Sequence, residues 1–435
     1  MITLLVLGFS TPAQALTLEE AWSAAEARGQ EVTLLEEQRR QTALVRTQAL
    51  ATLSPRVSMA GNYTLNQREV ALDSGGTFPP EVLELIERAT GNPVDFGEPR
   101  VIQQKDYFDA NLTVSMPLFS ARAMPGLRAA SAIVRAGDAQ ARAGLAQVRL
   151  GVARAFWGVL VARDGAAVAR AGKALAEQHA EQVAALVRAG TATRQAELQA
   201  RMAVARSERE LAGAESRRVQ AEQAFAAMVE VAPDVTLETP NARELRYATL
   251  EDALARVRAA RPDLRAGREQ LAAARSTRTA ARLAWTPNLD GRFTEMWTQN
   301  TGFNGNNWNW MAVATASWTP WDGGFRVADQ QRAASQLHAA EAALQKAEQD
   351  AEVEVRAAWQ ELQRARLARA ASGRELALGE ENLRIAEASH AAGASTFLDL
   401  EDARVARDSA RLGVMAERMG EDVAALALLR AVGDL

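Results

Sequence analysis

Two carboxylates three residues apart, Asp399 and Asp402, are the nearest thing to a chemical constellation in this 435-residue chain. On a helix that spacing places both on one face. Thr396-x-x-Asp399 also fits a capping box, in which Asp399 closes the amino end of its own helix. Catalytic chemistry finds no other foothold. His179, His338 and His390 sit far apart on helices with no partner at i+4, so they read as solvated helix positions rather than a metal or catalytic site. There is no Ser/His/Asp order, no phosphate-cradling Gly-x-x-x-x-Gly-Lys and no dinucleotide Gly-x-Gly-x-x-Gly. With no cysteine, disulfides, thiolate zinc sites, thiol nucleophiles and an acylated cysteine anchor are excluded. The expectation is a protein that is not an enzyme and holds no cofactor or metal.

Charge points the same way. The 50 Lys and Arg against 54 Asp and Glu are spread as Glu/Arg pairs, an ion-paired solvated surface. No basic cluster offers phosphates a face, so no nucleic acid is expected as partner. The Ala/Glu/Arg/Leu-rich composition favours long helices.

The elements that would position these residues come in two copies. Leu16-Thr17-Leu18-Glu19-Glu20-Ala21 recurs as Ala248-Thr249-Leu250-Glu251-Asp252-Ala253, and Pro55 recurs as Pro287, both 232 residues on. Met116-Pro117-Leu118 recurs as Thr319-Pro320-Trp321 and Gly190 as Gly393, both 203 on, with Trp157 matched to Trp359. The offset shrinks between the prolines of each copy, so the extra residues of the first copy form an exposed insertion, 66–105, in which Pro79-Pro80-Glu81 opens a short amphipathic segment ending near Gly91. The division is 1–15 signal peptide, 16–229 first repeat, 230–248 linker and 249–435 second repeat. The signal reading rests on the apolar run 2–9 followed by Ala13-Gln14-Ala15, a small-x-small cleavage pattern. No other segment approaches the roughly 20 apolar residues of a spanning helix. Membrane entry would therefore be by strands.

Each copy reads as helix, two strands, long helix, turn, helix. Helices are expected over 18–53 and 250–285, stopped by Pro55 and Pro287. Longer ones are expected over about 121–188 and 325–391, each roughly 100 Å at about 1.5 Å per residue. The shorter 191–229 and 395–431 return along them. Between the prolines the period drops to two. Strands are expected over 56–67, 106–116, 288–297 and 308–318, with Val57, Met59, Tyr63, Phe108, Leu112 and Val114 on one face and Ser58, Asn62, Asp109 and Asn111 on the other. The second copy repeats this with Phe293, Trp297, Trp308, Trp310, Ala312 and Trp318. Tyr63, Phe108, Phe293, Trp297, Trp308, Trp310 and Trp318 fit a membrane aromatic belt. A soluble sandwich would alternate similarly; beside a signal peptide and such long helices, a membrane barrel fits better. Four strands cannot enclose a lumen, so the chain must oligomerise, and three copies would give twelve strands.

Taken in order, the Leu-Thr-Leu-Glu-Glu-Ala opening, the Leu-Ser-Pro strand entry, the Met-Pro-Leu-Phe exit and the Gly-x-x-Thr turns resemble the TolC-like outer-membrane efflux proteins over the mature chain, twice. The resemblance implies a mainly α protein with a membrane β-barrel portion, a homotrimer forming a 12-stranded barrel in outer-membrane lipid and an α-helical tunnel in the periplasm of a Gram-negative cell. It implies passive export, with a periplasmic adaptor (a membrane fusion protein) and an inner-membrane pump of RND or ABC type as partners. The linker would lie outside the tunnel near its equator. The family's entrance aspartates fall on Asp399 and Asp402; the equivalent first-copy residues are Ala196 and Gln199, so only one copy would supply an acidic ring. Where the TolC pattern has a basic residue and an aromatic, this chain has Ser395 and His390. Adaptor-docking tips would be Arg188, Gly190 and Thr193 in the first copy and Gly393 and Thr396 in the second. The rival class is a periplasmic coiled-coil adaptor or scaffold with a small soluble β-domain and no barrel.

Overall fold

The computed structural model describes residues 15–72, 78–93, 100–241, 246–302 and 305–435. All but the last residue of the expected signal segment, and parts of the insertion and linker, lie outside them. The order is α1 (Leu18–Arg28), α2 (Gln30–Ala51), β1 (Arg56–Leu65), β2 (Val70–Leu72), α3 (Pro80–Thr90), β3 (Arg100–Gln103), β4 (Asp106–Phe119), α4 (Ala123–Arg188), α5 (Arg194–Val229), α6 (Leu250–Ala260), α7 (Pro262–Leu283), β5 (Asn288–Thr298), β6 (Trp308–Ser317), α8 (Phe325–Ala391) and α9 (Phe397–Val432). The chain is mainly helical and divides into two compact units that cut across the repeat. Met1–Ala43, Val134–Leu271 and Ala340–Leu435 form a helical unit, Leu44–Ile133 and Ala272–Ala339 a sheet unit.

In the helical unit the repeated opening motif is a pair of capping boxes. Thr17 Oγ1 accepts from the Glu20 amide at 3.2 Å while a Glu20 carboxylate oxygen accepts from the Thr17 amide at 2.8 Å; Thr249 and Asp252 do the same at 3.2 Å each way. The helices opened by these boxes are not continuous to residues 53 and 285. Both break at equivalent positions, Gly29 and Arg261. Arg261 precedes proline, which drives it to φ −63°, ψ 120°, and Pro262 opens α7. At Gly29 a Cβ would stand 2.4 Å from the Ala25 carbonyl oxygen, so only glycine fits where α1 ends.

Among the described residues three apolar clusters hold the unit: one mostly of first-copy residues with Leu426 of α9, one of second-copy residues, and a small one of Leu383, Leu400 and Ala403. Ala21, Val152, Phe156 and Phe225 anchor the first; Ala253, Val355, Leu362 and Leu428 anchor the second. Val148, Val152 and Val159 correspond to Ala351, Val355 and Leu362, each 203 residues on, which sets Trp359 against Phe156 rather than against Trp157 as the sequence matching had it. Trp157, 1% exposed, instead donates its indole N–H to Asp422 at 2.7 Å, with the Arg418 guanidinium 5.9 Å from its ring. The described part of the linker is pinned to this unit: the Leu16 amide donates to the Thr236 carbonyl at 2.8 Å, and Arg163 donates to the Val235 carbonyl at 2.9 Å and to Glu222 at 2.7 Å. One stretch of α4 is, against expectation, long and apolar enough to cross a membrane by length and composition, and 44% of it is buried. Core helices pass the same test, because a helix enclosed by others is apolar on more than one face.

The sheet unit is a four-stranded antiparallel sheet in the order β1-β4-β5-β6, open rather than a closed barrel, with β1 and β6 as its edges. The β4–β5 pair joins the two copies. Register puts Val57, Val114, Phe293 and Ala312 in one row and Met59, Leu112, Glu295 and Trp310 in the next. Both rows lie on the face the alternation marks as apolar, with Met59 82% and Trp310 72% exposed. Phe108 stands 6.0 Å from Trp297 and Phe293 stacks on Trp310 at 6.2 Å, while Trp318, just past β6, donates to the Trp285 carbonyl at 3.0 Å. On the opposite face Asn62 donates to Asp109 at 3.0 Å and the Thr113 and Thr294 hydroxyls lie 3.2 Å apart. Glu295 is the residue the alternation did not anticipate on the apolar face. In the insertion, β2 and β3 pair as a hairpin with α3 between them, opened by Pro79-Pro80 and ended by Gly91 at φ 69°.

Candidate functional site at the interhelical turns

The α4–α5 and α8–α9 turns belong to the helical unit and carry the sequence-predicted entrance and docking residues. Gly190 at φ 77° and Gly393 at φ 71° occupy the left-handed region, which glycine enters at no steric cost. The two turns close alike. The Thr191 amide donates to the Leu186 carbonyl and the Gly190 amide to that of Val187, both at 3.0 Å; Ala394 donates to Ser389 at 2.8 Å and Gly393 to His390 at 3.0 Å. Each pair satisfies carbonyls that the ending helix leaves without partners. Thr193 and Thr396 then cap the next helices, accepting from the Ala196 amide at 3.2 Å and the Asp399 amide at 3.3 Å.

Beyond the backbone the turns differ. Asp399 completes a capping box, its carboxylate accepting from the Thr396 amide at 2.8 Å and hydroxyl at 2.6 Å. Those bonds, the hydroxyl foremost, hold its carboxyl below the usual carboxylate range. Asp402 is exposed on the next turn of α9. The two carboxylates are thus neighbours in this structure with different employment, one tied to its own helix end and one in solvent. Arg188 is exposed at the end of α4.

Some residues here escaped the sequence reading. Glu197, 6% exposed, is held by Arg201 at 2.7 Å and by Arg194, a pattern visible in retrospect as charges at i, i+3 and i+4. Glu401 buries one carboxylate oxygen without a hydrogen-bond partner, and that burial raises its pKa. The two departures from the TolC pattern meet each other, since His390 Nδ1–H donates to the Ser395 carbonyl at 3.2 Å. His179 and His390, read as far apart, lie within electrostatic range across α4 and α8: burial first, and the His390 charge second, push His179 down to about 4. Among the described residues no three His, Asp or Glu side chains converge as a metal site would need.

Residues 253–434 match the outer membrane efflux protein family, a span that falls inside the second copy. No curated protein matches the chain. Among solved structures, the Campylobacter jejuni CmeC outer membrane channel superposes with a TM-score of 0.77 at 14% identity, over 96% of this chain and 85% of that one. The outer membrane protein VceC of Vibrio cholerae gives 0.73 at 18% identity, over 96% of each chain. The open-state MtrE outer membrane channel of Neisseria gonorrhoeae gives 0.73 at 19%, over 96% and 88%. These relatives are channels rather than enzymes, and an outer-membrane location agrees with both the family description and the sequence reading. Residues 253–434 therefore belong to the outer membrane efflux protein family, and the chain has the fold of the outer-membrane channels it resembles.

Proposed function

We propose that the protein is a passive export duct of the outer membrane: a homotrimer whose twelve strands close a barrel, with a helical tunnel reaching an adaptor and an inner-membrane pump. The observation that carries this reading is the sheet. Its two outer strands each have one edge unpaired among the described residues, and one face exposes Met59, Tyr63, Trp308 and Trp310, a surface that water does not favour and lipid does. A soluble β-domain would have no use for that combination. Two further copies, each pairing its β6 with a neighbour's β1, would remove every edge and turn the polar face inward.

The turns at Gly190 and Gly393 serve, in this reading, as the docking tips and entrance. Three chains would gather six carboxylates from Asp399 and Asp402, a ring that favours cations. Asp402 is the more available of the two, because Asp399 would have to leave its cap to reach a bore.

The deciding measurement is the protein-only mass of the particle extracted from outer membranes, by light scattering corrected for bound detergent. Three chain masses are expected; a water-soluble monomer or dimer would overturn the reading in favour of a coiled-coil adaptor. Ala312→Asp, on the exposed apolar face, should block assembly of that particle. The gate assignment has its own test in Asp402→Ala, which should lower cation preference in a planar bilayer, and an unchanged conductance and selectivity would refute it.

A further inference from the structure

The polar face of the sheet carries a charge pattern that the alternation of the strands does not require. Register places Arg56 and Arg292 in one cross-strand row, on either side of Ser115. With strands about 4.8 Å apart, their Cα atoms are about 10 Å from each other. Both are exposed, and no described residue forms an ion pair with either. Parity fixes which way they point. Val57, Val114 and Phe293 are sequence neighbours of this row and lie on the apolar face, so the arginines lie on the other.

The row stands at the helix-proximal end of the sheet, where Arg56 is the first residue of β1. The nearest acid on the same face, Asp290, sits one step closer to the helices, paired with Pro117 and Thr315, and offsets one of the two charges. At the far end of that face the row of Asn62, Asp109 and Thr298 is acidic, with Asp109 accepting from Asn62. Six residues of strand separate the two rows, about 20 Å. The face is therefore positive where the strands leave the helices and negative where they end.

We propose that Arg56 and Arg292 form an anion-attracting girdle in the bore, so that the barrel end of the duct favours permeants bearing phosphate or carboxylate groups and opposes the cation-favouring ring of the entrance. The proposal rests on the reading that three copies close the barrel with this face inward. Three chains then place six guanidinium groups around one level, against three Asp290 carboxylates. Low-dielectric walls focus the field of such a ring, which sets ion preference in pores. Planar guanidinium forks suit phosphate and carboxylate oxygens.

The test is the reversal potential of the purified protein in a planar bilayer under a KCl gradient. Relative to the wild type, Arg56→Gln/Arg292→Gln should move the potassium-to-chloride permeability ratio roughly threefold toward potassium, and Arg56→Lys/Arg292→Lys should leave it near the wild-type value. Inorganic pyrophosphate should reduce the wild-type KCl conductance and leave that of the glutamine variant unaffected. If the double glutamine variant does not assemble, single Arg292→Gln is read in the same way with a smaller shift. Pores whose ratio and pyrophosphate sensitivity do not change in the glutamine variants overturn the girdle and leave the channel standing. A wild-type particle that makes no pore overturns both.

Discussion

The turn that closes α4 and the turn that closes α8 share a backbone and differ in charge. Gly190 and Gly393 take nearly the same φ, the same two carbonyls of the ending helix are satisfied, and Thr193 and Thr396 cap α5 and α9. Around the first turn stand Arg188, Arg194 and Arg201, against one buried Glu197. Around the second stand Asp399, Glu401 and Asp402, against Arg404, itself paired with Glu387 at 3.3 Å. Duplication thus kept the requirements of a chain reversal, a residue tolerant of positive φ and an oxygen for an orphan amide, and released the exposed positions. A basic tip and an acidic tip can then meet different partners.

The largest test of the comparison lies in the cores behind the turns. Phe156 is fully buried and packs edge-on to Phe225 at 5.7 Å, whereas Trp359, its counterpart, is partly buried. Phe156→Ala should therefore cost about 4 kcal/mol and markedly lower the melting temperature, with Trp359→Ala costing clearly less. Equal losses would mean that the copies share the load evenly. A smaller effect should come from Gly190→Ala and Gly393→Ala. No atom lies within 4 Å of a Cβ at either position, so the cost is conformational alone, about 1 kcal/mol, and equal at both turns by amide exchange of the local backbone. A larger effect at one turn would point to a contact the shared geometry does not account for.

Smaller still, and different between the turns, is the response of the caps to acid. Asp399 has its pKa lowered by Thr396, so the folded state is favoured by its ionised form above the unfolded value, and that contribution disappears as pH falls through the lowered folded value. Thr193 caps with a hydroxyl and does not titrate. Amide exchange at the start of α9 should accelerate at acid pH relative to the start of α5, and Asp399→Asn should abolish the difference. No difference in the wild type would show that the box contributes nothing to holding the helix end.

Much of this was readable in the residues, because it depended on short-range chemistry. Thr17 with Glu20 and Thr249 with Asp252 announce helix starts, Pro80 and Gly91 the two ends of α3, and alternation within 56–67, 106–116, 288–297 and 308–318 announces strands with two unlike faces. Both breaks are local: Pro262 comes directly after Arg261, and at Gly29 a side chain would run into the Ala25 carbonyl of the turn just ended. The site was harder to read. Asp399 and Asp402 could be placed on one helix face, but the division between a capping carboxylate and an exposed one emerges from side-chain geometry. The burial of Glu401, and the row that aligns Arg56 with Arg292, depend on elements distant in sequence.

The same dependence on distant elements governs His179, the last difference between the turns. Its helix, α4, runs into the basic turn, while His390 lies in the last turn of the helix that leads to the acidic one, close enough for its charge to be felt at His179. Partial burial holds His179 at about 4, against 6.5 for a free side chain, so at neutral pH its imidazole is uncharged. Between those values the unfolded chain binds a proton that the folded chain refuses, and stability must fall as pH drops from 6.5 toward 4. His179→Gln removes the titrating group and keeps much of the volume. The wild type should therefore lose more of its melting temperature than the variant on going from about pH 7 to about pH 5. Parallel losses would mean that protonated His179 finds water or a carboxylate without unfolding.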